Sequence, residues 1–558
     1  MKHQTLTRFI LYQTLIMTHT LFLILSYSQL LNQLSEFYAL VIHRTLIVVQ
    51  FTIIILVILI STYYKLNDKF LLGMSIATAI NSIFTLDDFL SGFYGASLDS
   101  SSGIVPRMRT SAHMMAYNDL GHIVILDYHA EYFLEFLTVH VLSQILNVNY
   151  IIVYIFIIKF MVILLWTTLF ILIYRRTYEN IRPYSFADSV AILIVASSIL
   201  MGSVTSYNSE QESLGSLLSI LLLLLLLQKR TLNTKIPLFL ILFGVLFTSF
   251  LEISVLALMF LIAICIKFVS IRKFKETTYI VLLVLLLSRI FQFTNLVYVD
   301  RYLNSLFNII YSFIRAVTER VIETEQIFPR IGTPNPVDKV YSSFTVYSYL
   351  SVLILLAFLS ITCIYKLSRQ KNALHVSILV TYLFLFSLTV ITYPLSKAGF
   401  NIPSDMSSMR VTFLFLLPLV SMLVAKRFSE LANLLHKKRV KSVFMVIVIV
   451  ILILAPQYIH LGDVKSVYDM IRVKENVDKD IIFSNNLYHF VTTYIMKGSK
   501  IFSSHDYIID LYYSLPINYK LKTGLVGYQI NETQLYDISF NNGVYKVLII
   551  EPGLVLSR

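Results

Sequence analysis

Residues 213–230 read SLGSLLSILLLLLLLQKR. Sixteen consecutive positions, 213–228, carry no charge, and the run stops on Lys229-Arg230. As a helix rising 1.5 Å per residue it reaches about 24 Å, close to the roughly 30 Å hydrocarbon core of a bilayer. A leucine surface of that kind has no polar face to turn toward water. The rest of the chain repeats the pattern: 57% of the 558 residues are hydrophobic and only 14% are charged. A soluble domain carries about 25% charged residues. An ordinary cytosolic enzyme, a disordered chain and a disulfide-stapled secreted module are excluded. Cys265 and Cys363 both lie in apolar runs, which argues against a disulfide framework or a cysteine-based zinc site.

Working outward, runs of spanning length occur near 8–32, 40–63, 70–86, 150–174, 185–204, 213–228, 236–250, 251–268, 277–298, 343–366, 374–394, 411–426 and 442–459. The expected fold is an all-α polytopic membrane protein of about 13 transmembrane helices. Residues 236–268 are either one long tilted span or two short ones. The first run has a basic start and no A-x-A cleavage site, so it reads as a retained span.

Charge sets the orientation. The alternate connections 1–8, 63–69, 175–184, 228–235, 267–276, 366–373 and 426–441 hold 23 Lys/Arg and four acids, a net +19. The remainder must then carry −6 of the chain total of +13. The positive-inside rule places those connections and the N-terminus in the cytoplasm. On a soluble protein +13 would suggest nucleic acid; clustered at span ends it marks topology, and no nucleic-acid partner is expected. The extracytoplasmic segments are then the large loop 87–149, the shorter 204–212, 299–342 and 395–410, and the tail. Residues 131–147 within the large loop form an amphipathic stretch suited to the membrane interface. The chain divides into a membrane domain, 1–459, and a C-terminal α/β domain, 460–558, with β-rich runs at 480–484, 500–504 and 544–550.

The candidate chemistry lies outside. Asp87-Asp88 sits where the third span leaves the membrane and opens the large loop. Paired carboxylates at such a boundary raise one another's pKa, which suits a general base. The loop continues with Asp99, Arg107, Arg109, His113, Asp119, His122, Asp127 and His129. Asp127 and His129 are candidate substrate contacts. Asp119 and His122 could ligate a hard divalent cation, Mg²⁺ or Mn²⁺, as the candidate cofactor. Glu210 in the turn before the leucine run and Glu252 in TSFLEIS are further candidates. Arg410 precedes a late span and can grip a lipid phosphate bidentately. Lys159 and Arg289 are charges inside spans or near their ends.

The order of these features resembles the GT-C glycosyltransferases, which use polyprenyl-phosphate-linked sugars. The matching elements are Asp87-Asp88 opening the first large outer loop, the aromatic stretch LDYHAEYFLEFLTVHVLSQILNVN closing it, and the span ending in Arg175-Arg176. The turn SYNSEQESLGSLL, the hairpin LFGVLFTSFLEISVLAL, Arg410 and an outer tail follow in order. The WWDxG signature of oligosaccharyltransferases is absent, Tyr128-His129 stands where the family has a tyrosine–proline pair, and two spans precede the acidic loop. The resemblance implies inverting sugar transfer from a polyprenyl-phosphate donor to an extracytoplasmic acceptor, with Asp88, or else Asp87, as base and Arg410 on the donor phosphate. The alternatives are an O-antigen-type polymerase or ligase, which would place its large loop at 299–342, and a transporter or flippase of lipid-linked glycans.

Overall fold

A computed structural model describes residues 2–27, 36–66, 68–79, 138, 141–142, 145–146, 159–208, 210–226, 235–246, 250–270, 336–368, 373–397, 416–435, 438–457, 500–503, 538–541 and 546–550. Chain contacts divide the protein into two compact units: Met1–Leu86 with Phe160–Val467, and Asp87–Lys159 with Tyr468–Arg558.

The described part of the first unit is helical. Its helices are α1 (Lys2–Tyr27), α2 (Glu36–Tyr63), α3 (Lys69–Ala79), α4 (Lys159–Ile181, from Phe160 onward), α5 (Phe186–Asn208), α6 (Glu210–Leu226), α7 (Lys235–Leu246), α8 (Phe250–Ser270), α9 (Pro336–Ser368), α10 (Ala373–Lys397), α11 (Leu417–Asn433) and α12 (Lys438–Leu454). A 3₁₀ turn, Ala455–Gln457, extends α12. Among the described residues, three helical segments are long and apolar enough to cross a membrane: Thr45–Tyr63, Tyr347–Leu367 and Arg439–Gln457. The 21 residues of Tyr347–Leu367 reach about 31 Å as a helix. The protein is thus consistent with a helical membrane protein. The run at 236–268 contains two helices, α7 and α8; residues 247–249 between them, and the expected span 277–298, lie outside the described residues.

Helix α5 is the centre. From Val190 to Ala196 and again from Ile199 to Met201, its hydrophobic residues are fully buried all round. It packs against α2, α6, α11 and α12, most extensively against α11. Lipid is as apolar as leucine, so helices in a membrane gain most from close approach and interhelical hydrogen bonds. The small residues Ala191, Ala196, Ser197 and Ser198 permit the first, and Ser197 Oγ supplies the second by donating to the Leu452 carbonyl of α12 at 3.0 Å. A second layer runs from α9 to α10 and from α10 to α8. Tyr382 of α10 is fully buried and donates to the Leu353 carbonyl of α9 at 3.0 Å.

Helix α3 meets α4 through Gly73. A Cβ built there would lie 3.2 Å from both Ile171 Cδ1 and Thr167 Cγ2. Gly73→Ala needs only a shift of a few tenths of an ångström. Gly73→Leu is expected to destabilise the fold by about 1–3 kcal/mol, the usual cost of overpacking. Thermal unfolding of the detergent-solubilised chain checks the order wild type, Ala, Leu.

Two helices run further than the hydropathy pattern suggests. Helix α4 continues past residue 174 to Ile181, with Arg175 paired to Glu179 at 2.8 Å one turn on. Helix α11 continues through residues 426–433, which the charge pattern assigns to a connection. Its apolar stripe persists there: Phe428 and Ala432 are buried, and Phe428 stacks on Phe444 of α12 at 6.1 Å between ring centroids. The charges occupy the other face of an amphipathic helix.

In the second unit, strands β1 (Lys500–Ser503), β2 (Ile538–Asn541) and β3 (Lys546–Ile550) form an antiparallel sheet in the order β1-β3-β2. Phe502 pairs with Leu548, and Phe540 with Val547. Strands β1 and β3 fall in two of the three expected β-rich runs; residues 480–484 lie outside the described residues. Strand β2 was missed, although Asn542-Gly543 just after it is a strong hairpin signal.

Candidate functional site

Asp87, Asp88, Asp119, His122, Asp127, His129, Arg289 and Arg410 lie outside the described residues. Glu210 is the first residue of α6 and Glu252 the third of α8, two helices that pack against each other. Lys159 is the first described residue of α4; residues 150–158, the start of the run 150–174, lie outside the described residues. Among the described residues no group of three or more His, Cys, Asp or Glu could hold a metal ion. Asp119 and His122 are not among them.

The described residues show the helix ends beside the basic connections in detail. Arg8 near the start of α1 donates to the Leu66 carbonyl at 2.6 Å and lies 3.7 Å from the Asp68 carboxylate. Tyr12 donates to the same carboxylate at 2.8 Å. Asp68 in turn caps α3, accepting from the backbone N–H groups of Phe70 and Leu71, each at 3.1 Å. Thr62 at the end of α2 shares a 2.9 Å hydrogen bond with Tyr174 near the end of α4. Lys65 lies over the Tyr184 ring, 5.0 Å from its centroid. The starts of α1, α3 and α5 and the ends of α2 and α4 are therefore joined by specific contacts.

The start of α5 is a capping box built from Ser185 and Asp188. Asp188 N–H donates to Ser185 Oγ at 3.3 Å, and Asp188 Oδ2 accepts from Ser185 N at 2.8 Å. The same oxygen accepts from Tyr184 N at 3.0 Å and from the Ser185 hydroxyl at 2.8 Å. Asp188 Oδ1 remains free for a tertiary bond and accepts from Ser429 of α11. Asn433 donates to Ser429 Oγ at 3.4 Å, and Lys441 of α12 donates to Asn433 Oδ1 at 2.7 Å. One carboxylate thereby joins the starts of α5 and α12 to the end of α11.

A second relay lies on α11. Glu430 accepts from Lys366 of α9 at 2.9 Å and from Arg427 at 3.0 Å. Burial would raise the Glu430 pKa, but the hydrogen bonds and charges of Lys366 and Arg427 outweigh it and hold the carboxyl below its ordinary range. The carboxylates of both relays are engaged by the protein's own donors, while the buried Arg427 Nε makes no hydrogen bond among the described residues. They present no free nucleophile or proton acceptor, and their chemistry is that of a clamp. Hydropathy does not reveal them, but the SFAD spacing at 185–188 is a capping-box signal legible in the sequence.

These helix ends lie at or beside connections of the net +19 set, and the bonds Arg8–Leu66, Tyr12–Asp68, Thr62–Tyr174, Ser429–Asp188, Lys441–Asn433 and Lys366–Glu430 each join one such end to another. The chain matches no family model, no curated protein and no solved structure.

Proposed function

We propose that the chain is a multi-pass membrane glycosyltransferase that moves a sugar, with inversion, from a polyprenyl-phosphate donor to an extracytoplasmic acceptor. The observation that carries the reading is the acidic pair Asp87-Asp88 at the exit of the third apolar run, opening a 63-residue loop, 87–149, rich in Asp, His and Arg. The joined basic helix ends support the alternation that sets this loop, and the tail after residue 460, on the extracytoplasmic side, with the N-terminus in the cytoplasm.

The chemistry follows from where the charges stand. The acceptor hydroxyl attacks the anomeric carbon from the face opposite the phosphate and gives its proton to the Asp88 carboxylate. A bond forms between acceptor oxygen and carbon as the carbon–phosphate oxygen bond breaks, and the configuration inverts. The leaving phosphate gains charge, which the Arg410 guanidinium stabilises. Asp127, His129, Glu210 and Glu252 are the polar groups assigned to the sugar and acceptor. Asp119 and His122 would hold a divalent cation, if one serves the phosphate.

Arg410→Ala tests the phosphate contact. A hydrogen bond to a charged group is worth about 1.5–3 kcal/mol, which corresponds to roughly 10–150-fold in affinity. Binding of a polyprenyl-phosphate sugar to the purified variant should weaken by that factor, with Arg410→Lys falling between the two. Unchanged donor affinity would remove Arg410 from the site.

A further inference from the structure

Helices α9 and α12, two of the three with segments able to cross a membrane, enclose an apolar groove of about 340 Å³. Its walls are Val352, Ile354, Leu355 and Phe358 on α9 and Phe444 and Ile447 on α12. The groove opens outward: Ile354 is 59% exposed, Phe358 55% and Ile447 52%. Ser351, the polar residue in the lining, already donates its hydroxyl to the Tyr347 carbonyl at 2.7 Å. The groove therefore offers no hydrogen bond to a polar occupant.

One end of the groove is basic. Helix α12 begins KRVK, so Arg439 and Lys441 precede Phe444 by five and three residues. At 1.5 Å per residue, Lys441 stands about 10 Å along the helix from Val448, in the groove wall. Arg439 is exposed. Lys366, at the matching end of α9, is paired with the Glu430 carboxylate, whereas Lys441 bonds only the neutral Asn433 amide, so the uncompensated positive charge comes from α12. An apolar trough whose α12 wall, Phe444 to Leu452, runs about 12 Å, close to the hydrocarbon depth of one leaflet, with cations beyond one end, suits a phospholipid with a negatively charged headgroup and its acyl chain laid along the trough.

We propose that the α9–α12 groove is a binding site for an anionic phospholipid, with the acyl chain against Ile354, Phe358 and Ile447 and the headgroup at Arg439 and Lys441. The site lies at the end of the bundle where the basic connections meet, and it does not rest on the sugar-transfer reading. The charge at the mouth gives headgroup selectivity, since a Lys or Arg near the membrane surface attracts an anionic lipid.

The chain has a single tryptophan, Trp166, which is fully buried. Phe358→Trp is a conservative change that places a second indole in the groove wall. The full chain carrying it is reconstituted into phosphatidylcholine vesicles with one-tenth of the lipid brominated in its acyl chains, either as phosphatidylglycerol or as phosphatidylcholine. Quenching above the Trp166 background is expected to be at least twofold stronger with brominated phosphatidylglycerol. Adding Arg439→Gln and Lys441→Gln should make the two lipids equal while quenching by phosphatidylcholine persists. Equal quenching by both lipids in the Phe358→Trp chain would reduce the groove to bulk lipid contact and overturn the proposal. No quenching by either would show that protein, such as a second copy of the chain, covers the groove, and would overturn it as well. Selectivity that survives loss of both cations would overturn the assignment of the headgroup.

Discussion

Asp88→Asn is expected to lower sugar transfer by about 10²–10⁴-fold, the usual contribution of a positioned general base. The substitution keeps the size of the side chain and its hydrogen-bonding reach. It removes only the charge that accepts the acceptor's proton. Donor binding, which the proposed mechanism assigns to Arg410 and the loop's polar groups, should stay near wild type, so the loss appears in kcat rather than in KM for the donor. Asp87→Asn separates the two neighbours. Under the reading with Asp88 as base it costs far less, because its neighbour still ionises. If the larger loss follows Asp87 instead, the base is one residue earlier and the mechanism is otherwise the same. If both variants transfer at the wild-type rate, the acidic pair is an interface marker and the assigned chemistry fails.

The second large effect is on stability. Asp188→Ala removes the N3 carboxylate of the α5 capping box and leaves the Ser429 hydroxyl without its acceptor. Loss of a cap costs about 0.5–2 kcal/mol. The buried Ser429 hydroxyl, still accepting from Asn433 but with no acceptor for its own proton, adds about 1–3 kcal/mol. A total of about 2–4 kcal/mol is expected, large against typical stabilities of 5–15 kcal/mol. Ser429→Ala removes both the hydroxyl and the interhelical bond and should cost less than half as much. Thermal unfolding of the two single variants and the double variant gives the coupling energy. A double variant as stable as the sum of the singles predicts would show that Asp188 acts on α5 alone.

Much of the helical architecture was legible because apolar length is a strong signal. The leucine run 213–228 appears as α6 at Glu210–Leu226, and 185–204 as α5 at Phe186–Asn208. Where polar residues share a helix with an apolar stripe, as at 426–433, the apolar run ends before the helix does; the burial of Phe428 and Ala432 explains why the helix continues. The bond from Ser429 to Asp188 joins residues 241 apart in sequence, and no local pattern can announce such a pairing. The capping box at its centre was legible, and so was Asn542-Gly543 after β2. The candidate catalytic residues were legible as an order of features along the chain. Asp87, Asp88 and Arg410 lie outside the described residues, and their arrangement rests on that order.

The central claim is chemical: the sugar leaves the lipid. The full chain is reconstituted into sealed vesicles containing a radiolabelled polyprenyl-phosphate sugar, with a water-soluble hydroxylic acceptor supplied to the face that carries the tail. The account predicts label on the acceptor, free polyprenyl phosphate in equal amount, inverted configuration at the anomeric carbon, and loss of all three in Asp88→Asn. Label that stays lipid-linked while moving from one leaflet to the other, at the same rate in Asp88→Asn, would contradict it and identify a transporter.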